Sequence, residues 1–233
     1  MMSRGWTHSS TTLAIVVACL VLGAPCRGQA QNRSPQDLQQ ALQQRYALVL
    51  DFSADFTHTY EGGMLRTRLV ERGTMLVKRP GRMRWDYLEP ERKLFVSDGK
   101  RLYSYLPEDN QVIIGHLPDG NGTTTPALFL AGAGDFVDDF TAAFDTAQDA
   151  PDDSYVLRLT PTRTERDFEF LTLVLDAGTL AILRLIAHDL QGGTSTFVFS
   201  NLQENLDLSD TPFTFEIPPG TDVNDTTRTD SRR

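Results

Sequence analysis

The sequence predicts a mainly β protein with a few helices, built as an antiparallel meander. About ten segments alternate apolar and polar residues with a period of two, the pattern of half-buried strands. Short turn sequences such as "SDG" at 97–99 and "QGG" at 191–193 separate them, and such turns join antiparallel neighbours. The predicted strands are 52–60, 66–79, 83–87, 94–97, 101–105, 111–114, 155–160, 168–176, 180–188, 194–201 and 213–216.

Residues 1–30 have the composition of a secretory signal peptide. Arg4 is the charge that precedes an apolar run, Leu13 to Leu22, which is shorter than the roughly 20 residues of a membrane-spanning helix. Small residues before position 31 favour cleavage after Ala30. An alternative is that one of the two cysteines, at positions 19 and 26, becomes a lipid-modified terminus.

The net charge of the chain limits the classes of molecule that it can bind. Formal net charge is −9 for the whole chain; removal of 1–30 takes away Arg4 and Arg27, which leaves 20 basic against 31 acidic residues, or −11. Nucleic acid and anionic membrane surfaces are poor partners for such a protein. A chain of this length suits one domain, 31–225, and we expect a disordered tail over 226–233.

The first predicted helix begins at Ser34-Pro35, a favourable cap followed by a residue that fits the first helical turn. Leu38, Leu42 and Tyr46 then recur at helical spacing and form one apolar stripe. The rest of this helix is rich in glutamine. The stripe indicates a helix that covers one apolar surface.

A second helical region is predicted between the two runs of strands. Residues 125–144 contain a short apolar segment, a glycine break, and then Phe136, Phe140 and Phe144 spaced four residues apart. This spacing favours two short helices.

No catalytic or cofactor motif is present in the sequence. There is no G-x-S-x-G, P-loop, G-x-G-x-x-G, H-E-x-x-H or C-x-x-C pattern. The histidines after the leader, His58, His116 and His188, lie on different predicted elements, so we expect no metal site and no cofactor. Adjacent acidic residues are more typical of solvated loops than of a paired acid and base.

One arginine is out of place in this pattern. Met83, Trp85 and Tyr87 alternate with charged residues, which places them on one face of their strand. By the same parity Arg79 shares a face with Met75 and Val77, which are expected to point inward. Either the sheet packs on itself around an ordinary core, which the pattern alone favours, or it curls into an open barrel with a ligand cavity under the helices.

Several motifs resemble the LolA family of periplasmic carriers of outer-membrane lipoproteins. The likeness is carried by "GTMLVKRPGRMRWDYLEPERKLFVSDGKRLYSYLPEDNQV" at 73–112, and continues in "DFSADFTHTY" at 51–60, "TPALFLAG" at 125–132 and "NLDLSDTPFTFEIPPGTDV" at 205–223. Together these segments are spread over most of the range 35–223, in the family's order and spacing. Residues between 134 and 200 match by pattern more than by letter.

The resemblance implies an incomplete, half-open antiparallel β-barrel, lidded by short α-helices, that encloses an apolar cavity. It implies a monomeric periplasmic carrier without enzymatic activity. Such a carrier takes acylated lipoproteins from an inner-membrane ATP-binding-cassette complex and delivers them to an outer-membrane receptor. A lipid-binding or lipoprotein-sensing protein of the same fold is the alternative. An enzyme on this fold would need a polar cluster, for which His58, Tyr60 and Glu61 are the candidates.

The resemblance also implies residue roles. Arg79, the arginine of the K-R-P motif, corresponds to a latch that hydrogen-bonds backbone carbonyls of the lid, expected from Thr125 onward, in the closed, empty state. Met83 replaces an aromatic residue that is associated with this position in the family. The residues expected to line the acyl-chain cavity are Val77, Met83, Trp85, Leu128, Phe129, Phe136 and Phe140.

Overall fold

The computed structural model describes residues 33–63, 67–117 and 134–227, which form one α-helix and twelve strands. Helix α1 spans Pro35–Ala47 and is capped by Ser34, whose hydroxyl accepts the Asp37 amide while the Asp37 carboxylate accepts the Ser34 amide. The strands are β1 Asp51–Glu61, β2 Arg68–Lys78, β3 Arg82–Glu89, β4 Lys93–Asp98, β5 Arg101–Leu106, β6 Gln111–His116, β7 Phe140–Phe144, β8 Ser154–Pro161, β9 Phe170–Asp176, β10 Ile182–His188, β11 Thr194–Glu204 and β12 Asp222–Asp225.

All twelve strands belong to one open sheet. Strands β1 to β6 form one antiparallel meander and β7 to β11 form another, and the pairing of β1 with β11 joins the two. The edges of the sheet are β12, which pairs with β6 in parallel, and β7. The predicted antiparallel, unclosed sheet is therefore confirmed, with β12 as an additional strand that the sequence pattern did not indicate.

The two faces of the sheet have separate apolar cores. We call the face that α1 covers the inner face: β1, β2, β3 and β7 to β10 point apolar side chains from it toward Leu38, Leu42 and Tyr46. On the outer face, Val96, Val112, Ile114 and Phe213 are buried.

The outer face is covered by the segment 206–217, which we call the outer strap. Its Leu206 and Leu208 amides donate to the buried carboxylate of Asp51, and Lys78 donates to the Leu208 carbonyl at 2.7 Å. The predicted strand 213–216 is wrong: Thr211–Phe213 is a 3₁₀ helix. Pro212 has no amide proton for a ladder, and Phe213 fills the outer core instead.

The second helical region also differs from prediction over its described part. Residues 136–138 are a turn and Phe140–Phe144 is strand β7, so the predicted helix through Phe136, Phe140 and Phe144 is wrong. The Asp135 carboxylate accepts the amides of Val137 and Asp138, which caps a single turn, and the pairing of β7 with β8 from Phe140 onward prevents that turn from continuing as a helix. The other predicted helix, before residue 134, lies outside the described residues.

The end of the described chain is held by β12. The Thr226 amide and hydroxyl donate to the Ile114 carbonyl at 2.9 and 2.8 Å. Of the tail predicted for 226–233, residues 228–233 lie outside the described part, as do 1–32, where the signal peptide is predicted.

Glutamines of α1 cover the exposed edge of β7. Gln39 is buried and its amide donates to the carbonyls of Phe136 and Phe140, the latter at 2.8 Å. Gln36 donates to the Ala142 carbonyl at 3.1 Å, and the Gln43 side chain accepts the Phe136 amide. Carbonyls of alternate residues point to the same side of a strand. The helix thus satisfies an edge that would otherwise be open to pairing with another chain.

Gln39→Ala is expected to lower the free energy of unfolding by about 2–4 kcal/mol, because two buried carbonyls lose their donor. Gln40→Ala is the matched control: Gln40 is the next residue of α1 and is exposed, so its loss is expected to stay within about 0.5 kcal/mol. Urea unfolding of both variants measures the difference. Equal losses would show that the Gln39 contacts do not stabilise the fold.

Candidate functional site

The structure brings five of the predicted cavity residues into one cluster on the inner face. They come from both meanders and from the turn before β7, and each is no more than 6% exposed. The cluster holds Val77, Met83, Trp85, Phe136 and Phe140. Leu128 and Phe129 lie outside the described residues. Lining of an acyl-chain cavity remains a prediction, because the segment predicted to roof the cavity is also outside them.

Arg79 contacts the carboxyl end of α1. Its guanidinium donates to the Tyr46 carbonyl and lies 5.1 Å from the centroid of the Tyr46 ring. The last carbonyls of a helix have no partner within the helix, and a cation is favourable there. Burial raises the pKa of Tyr46, so this phenol stays neutral. The described partner of Arg79 is therefore α1, and the segment from Thr125 to 133, where its partner was predicted, is not described.

A second arginine ties the same end of α1 to the other meander. Arg45 forms an ion pair with Glu204 on β11, in which Nη2 donates to both carboxylate oxygens, each at 2.8 Å. It also donates to the Thr179 carbonyl in the turn between β9 and β10. Hydrogen bonds between ionised groups are stronger than those between neutral groups, and Arg45 directs Nε and Nη2 to two different segments of the second meander. Arg45 and Arg79 together hold the end of α1 between the two meanders.

The packing under this end of α1 leaves little room. An apolar crevice of about 20 Å³ lies there, which is space for about one water molecule. A chain of methylene groups cannot enter this volume unless α1 moves. The residues that line the crevice are Arg45, Tyr46, Phe52, Ile182, Phe199, Leu202 and Glu204.

A polar cluster lies on the inner face at the far ends of β1 and β2. The buried carboxylate of Glu71 accepts from His58 Nδ1 at 3.0 Å and from Lys93 Nζ at 2.7 Å. The His58 ring stacks on Phe197, with centroids 4.2 Å apart. Burial lowers the pKa of His58 and outweighs the hydrogen bond that His58 donates to Glu71, which raises this pKa.

This cluster differs from the one that the sequence suggested for an enzyme. Tyr60 and Glu61 were the predicted companions of His58, but Glu61 forms an ion pair with Arg68 on the neighbouring strand. The actual companions, Glu71 and Lys93, could have been found by strand parity. Glu71 has the same parity as Met75 and Val77, which places it on the inner face opposite His58.

Two further groups were missed by the sequence reading. Gln39 and Gln43 belong to the glutamine-rich polar face predicted for α1, yet they border the apolar stripe at helical spacing and bind β7 and the turn before it. The pair of Arg45 with Glu204 joins residues 159 positions apart. No local pattern carries that information, because it depends on which strand of the second meander pairs with β1.

The described residues include neither a membrane-spanning helix nor a metal-binding cluster. Within 33–63, 67–117 and 134–227 no helix is long and apolar enough to cross a membrane. Over the same ranges no three histidine, cysteine or acidic side chains form a group that could hold a metal ion.

An unclosed antiparallel sheet whose apolar inner face is covered by an amphipathic helix defines the class of half-open barrels. Among solved structures, an uncharacterized conserved protein from Thermus thermophilus shares this fold with a TM-score of 0.51 at 15% identity, over 82% of this chain and 98% of that one. The family model of the outer membrane lipoprotein carrier protein LolA matches residues 48–216. The chain therefore belongs to the LolA family.

Curated relatives agree with this assignment over most of the chain. An outer-membrane lipoprotein carrier protein of Chromohalobacter salexigens is 34% identical over 87% of this chain and 91% of its own length. The carrier protein of Methylococcus capsulatus is 32% identical over 73% of this chain and 79% of its own length. The similarity thus extends across both meanders and is not confined to the K-R-P-G segment.

Proposed function

We propose that this protein is a periplasmic carrier that shields the acyl chains of lipoproteins on its inner face and delivers them to the outer membrane. One observation carries the proposal: the inner face is apolar and is covered by α1, and polar contacts hold the end of this helix in place. Membership of the LolA family supports the proposal that the cargo is a lipoprotein. The predicted signal peptide, residues 1–30, supports export to the periplasm, and the absence of catalytic motifs from the sequence supports a carrier rather than an enzyme.

The energetics of acyl-chain binding favour a carrier whose apolar face is covered by its own helix when no cargo is bound. Each buried methylene is worth roughly 0.8 kcal/mol, so several long chains gain tens of kcal/mol in gross terms. A carrier that kept all of this gain could not release its cargo. Since α1 fills the inner face with Leu38, Leu42 and Tyr46, incoming chains must displace contacts that already exist, and the net affinity falls by that amount.

The margin contacts suit a helix that moves as a unit. Arg79 and Arg45 bind α1 through carbonyl and carboxylate oxygens, which water can replace when the helix lifts. Arg79 is the latch of this proposal, and it holds Tyr46 in the closed state. An inner-membrane ATP-binding-cassette complex is the proposed donor of the lipoprotein, and an outer-membrane lipoprotein receptor is the proposed acceptor.

The carrier proposal predicts that binding depends on acylation. Incubated with the acylated and the non-acylated form of one lipoprotein, the purified protein is expected to form a complex with the acylated form alone, because the inner face gains nothing from the polypeptide. Size-exclusion chromatography measures complex formation. Equal binding of the two forms would contradict the proposal, and native mass spectrometry of the protein would show whether a free lipid is carried instead.

Arg79→Leu is expected to keep the fold and accept lipoprotein, but to pass it on about tenfold more slowly. The substitution removes one charge-assisted hydrogen bond and one cation–π contact from the closed, empty state, which makes release of the cargo less favourable. Transfer from the loaded protein to outer-membrane vesicles measures the rate. Arg101→Leu, at an exposed arginine of β5, is the matched control, and equal transfer by the two variants would remove Arg79 from the mechanism.

A further inference from the structure

Two buried polar atoms on the inner face have no partner. Among the described residues, His58 Nε2 and Trp85 Nε1 are buried side-chain atoms without a hydrogen bond. Both side chains contact the same aromatic ring: Phe197 stacks on His58 with centroids at 4.2 Å and meets Trp85 edge to face at 5.4 Å. The Phe56 ring completes this aromatic group, with its centroid 4.9 Å from that of Trp85 and 6.4 Å from that of Phe197. The two unsatisfied atoms therefore belong to one place in the fold.

The hydrogen-bond network assigns a different role to each atom. The Glu71 carboxylate faces His58 Nδ1 at 3.0 Å and can only accept, so Nδ1 carries the proton. The Nε2 atom of the neutral ring is then an acceptor. Burial keeps the pKa of His58 below its ordinary value, and this favours the neutral ring near neutral pH. The indole Nε1–H of Trp85 is a donor only.

The surroundings fix the His58 acceptor in position. Glu71 also accepts from Lys93 Nζ at 2.7 Å, so the carboxylate is held between two donors, and the imidazole is stacked on Phe197. Tyr87 packs edge-on against the same imidazole, with centroids 6.3 Å apart. A buried polar group without a partner costs about 1–3 kcal/mol. An acyl-chain surface needs neither group, and phenylalanine at both positions would avoid the cost.

We propose that His58 Nε2 and Trp85 Nε1 form a polar subsite for the linkage of an acyl chain, and that its preferred ligand is an amide-linked chain. Trp85 donates to the acyl carbonyl and His58 accepts from the amide N–H. An ester of the same chain offers the carbonyl alone, and a hydrocarbon offers neither group. The inference rests on the proposed function, since it assumes that acyl chains reach the inner face.

The test compares three probes of equal chain length: a long-chain fatty amide, the methyl ester and the n-alkane, each delivered from cyclodextrin. Displacement of an apolar fluorescent dye from the full chain measures the affinities. The wild-type protein is expected to bind the amide about tenfold more tightly than the ester, and the ester about tenfold more tightly than the alkane, because each step adds one buried hydrogen bond.

The variants separate the two atoms. His58→Phe keeps the stacking on Phe197 and is expected to abolish the advantage of the amide over the ester. Trp85→Phe is expected to abolish the advantage of the ester over the alkane. His188→Phe is the matched control: His188 also stacks on a phenylalanine, Phe170, at 4.0 Å, but it lies on β10 with the opposite parity to Leu185 and Ala187 of the inner face. Its affinities are expected to equal those of the wild type.

Glu71→Gln decides the question if His58→Phe does not fold. A glutamine amide at position 71 can donate to Nδ1, which moves the ring proton to Nε2 and removes the acceptor without removing the ring. Loss of the amide preference in this variant supports the subsite. Equal affinity of the wild type for amide, ester and alkane, or an amide preference that survives in the His58 and Glu71 variants, overturns the subsite and leaves the carrier proposal intact. Failure of all three probes to bind would overturn both.

Discussion

Burial of the inner face under α1 is the contact on which the rest of the structure depends. A sheet that ends in two edges, β12 and β7, does not enclose its own apolar face, so another element must cover it. The stripe of Leu38, Leu42 and Tyr46 does so and joins a core that includes residues of both meanders. Because the helix crosses from one meander to the other, its position also sets how the two are held together.

The contacts at the margin of α1 differ in kind from those beneath it. Gln39 satisfies buried carbonyls beside β7, and these bonds belong to the permanent structure. Arg79 and Arg45 hold the opposite end through exchangeable polar contacts next to a crevice that is almost full. The helix is thus anchored along the side that faces β7 and latched at its carboxyl end. Such an arrangement fits a carrier in which cargo enters by lifting the latched end.

The outer face is covered in a different way, by a segment whose backbone is bound directly to the sheet. The outer strap places Phe213 among Val96, Val112 and Ile114, and its backbone is bound by Asp51 and Lys78. Strand β12 then pairs with β6 and holds the end of this segment. Among the described residues, one sheet therefore carries two apolar cores, of which only the inner one is covered by a latched helix.

Period-two patterning was enough to predict most strands, because each of β1 to β6 and β8 to β11 alternates between the two faces. Parity also predicted that Arg79 shares a face with Met75 and Val77, and its guanidinium contacts Tyr46 of the helix that covers that face. It failed where the chain meets distant segments. Phe136, Phe140 and Phe144 have helical spacing, but the last two belong to strand β7, which pairs with β8. Two further contacts depend on sheet topology, which no local pattern encodes: the ion pair of Arg45 with Glu204, and the burial of Phe213 in the outer core.

The two apolar cores offer a direct test of where acyl chains bind. A lipoprotein that carries a photoreactive diazirine on its acyl chains would be loaded onto the protein, irradiated, and mapped by mass spectrometry. Inner-face residues such as Val77, Met83 and Trp85 are predicted to be labelled, whereas Val96, Val112 and Phe213 of the equally buried outer core are predicted to remain unlabelled. Labelling of the outer core, or of neither core, would contradict the account.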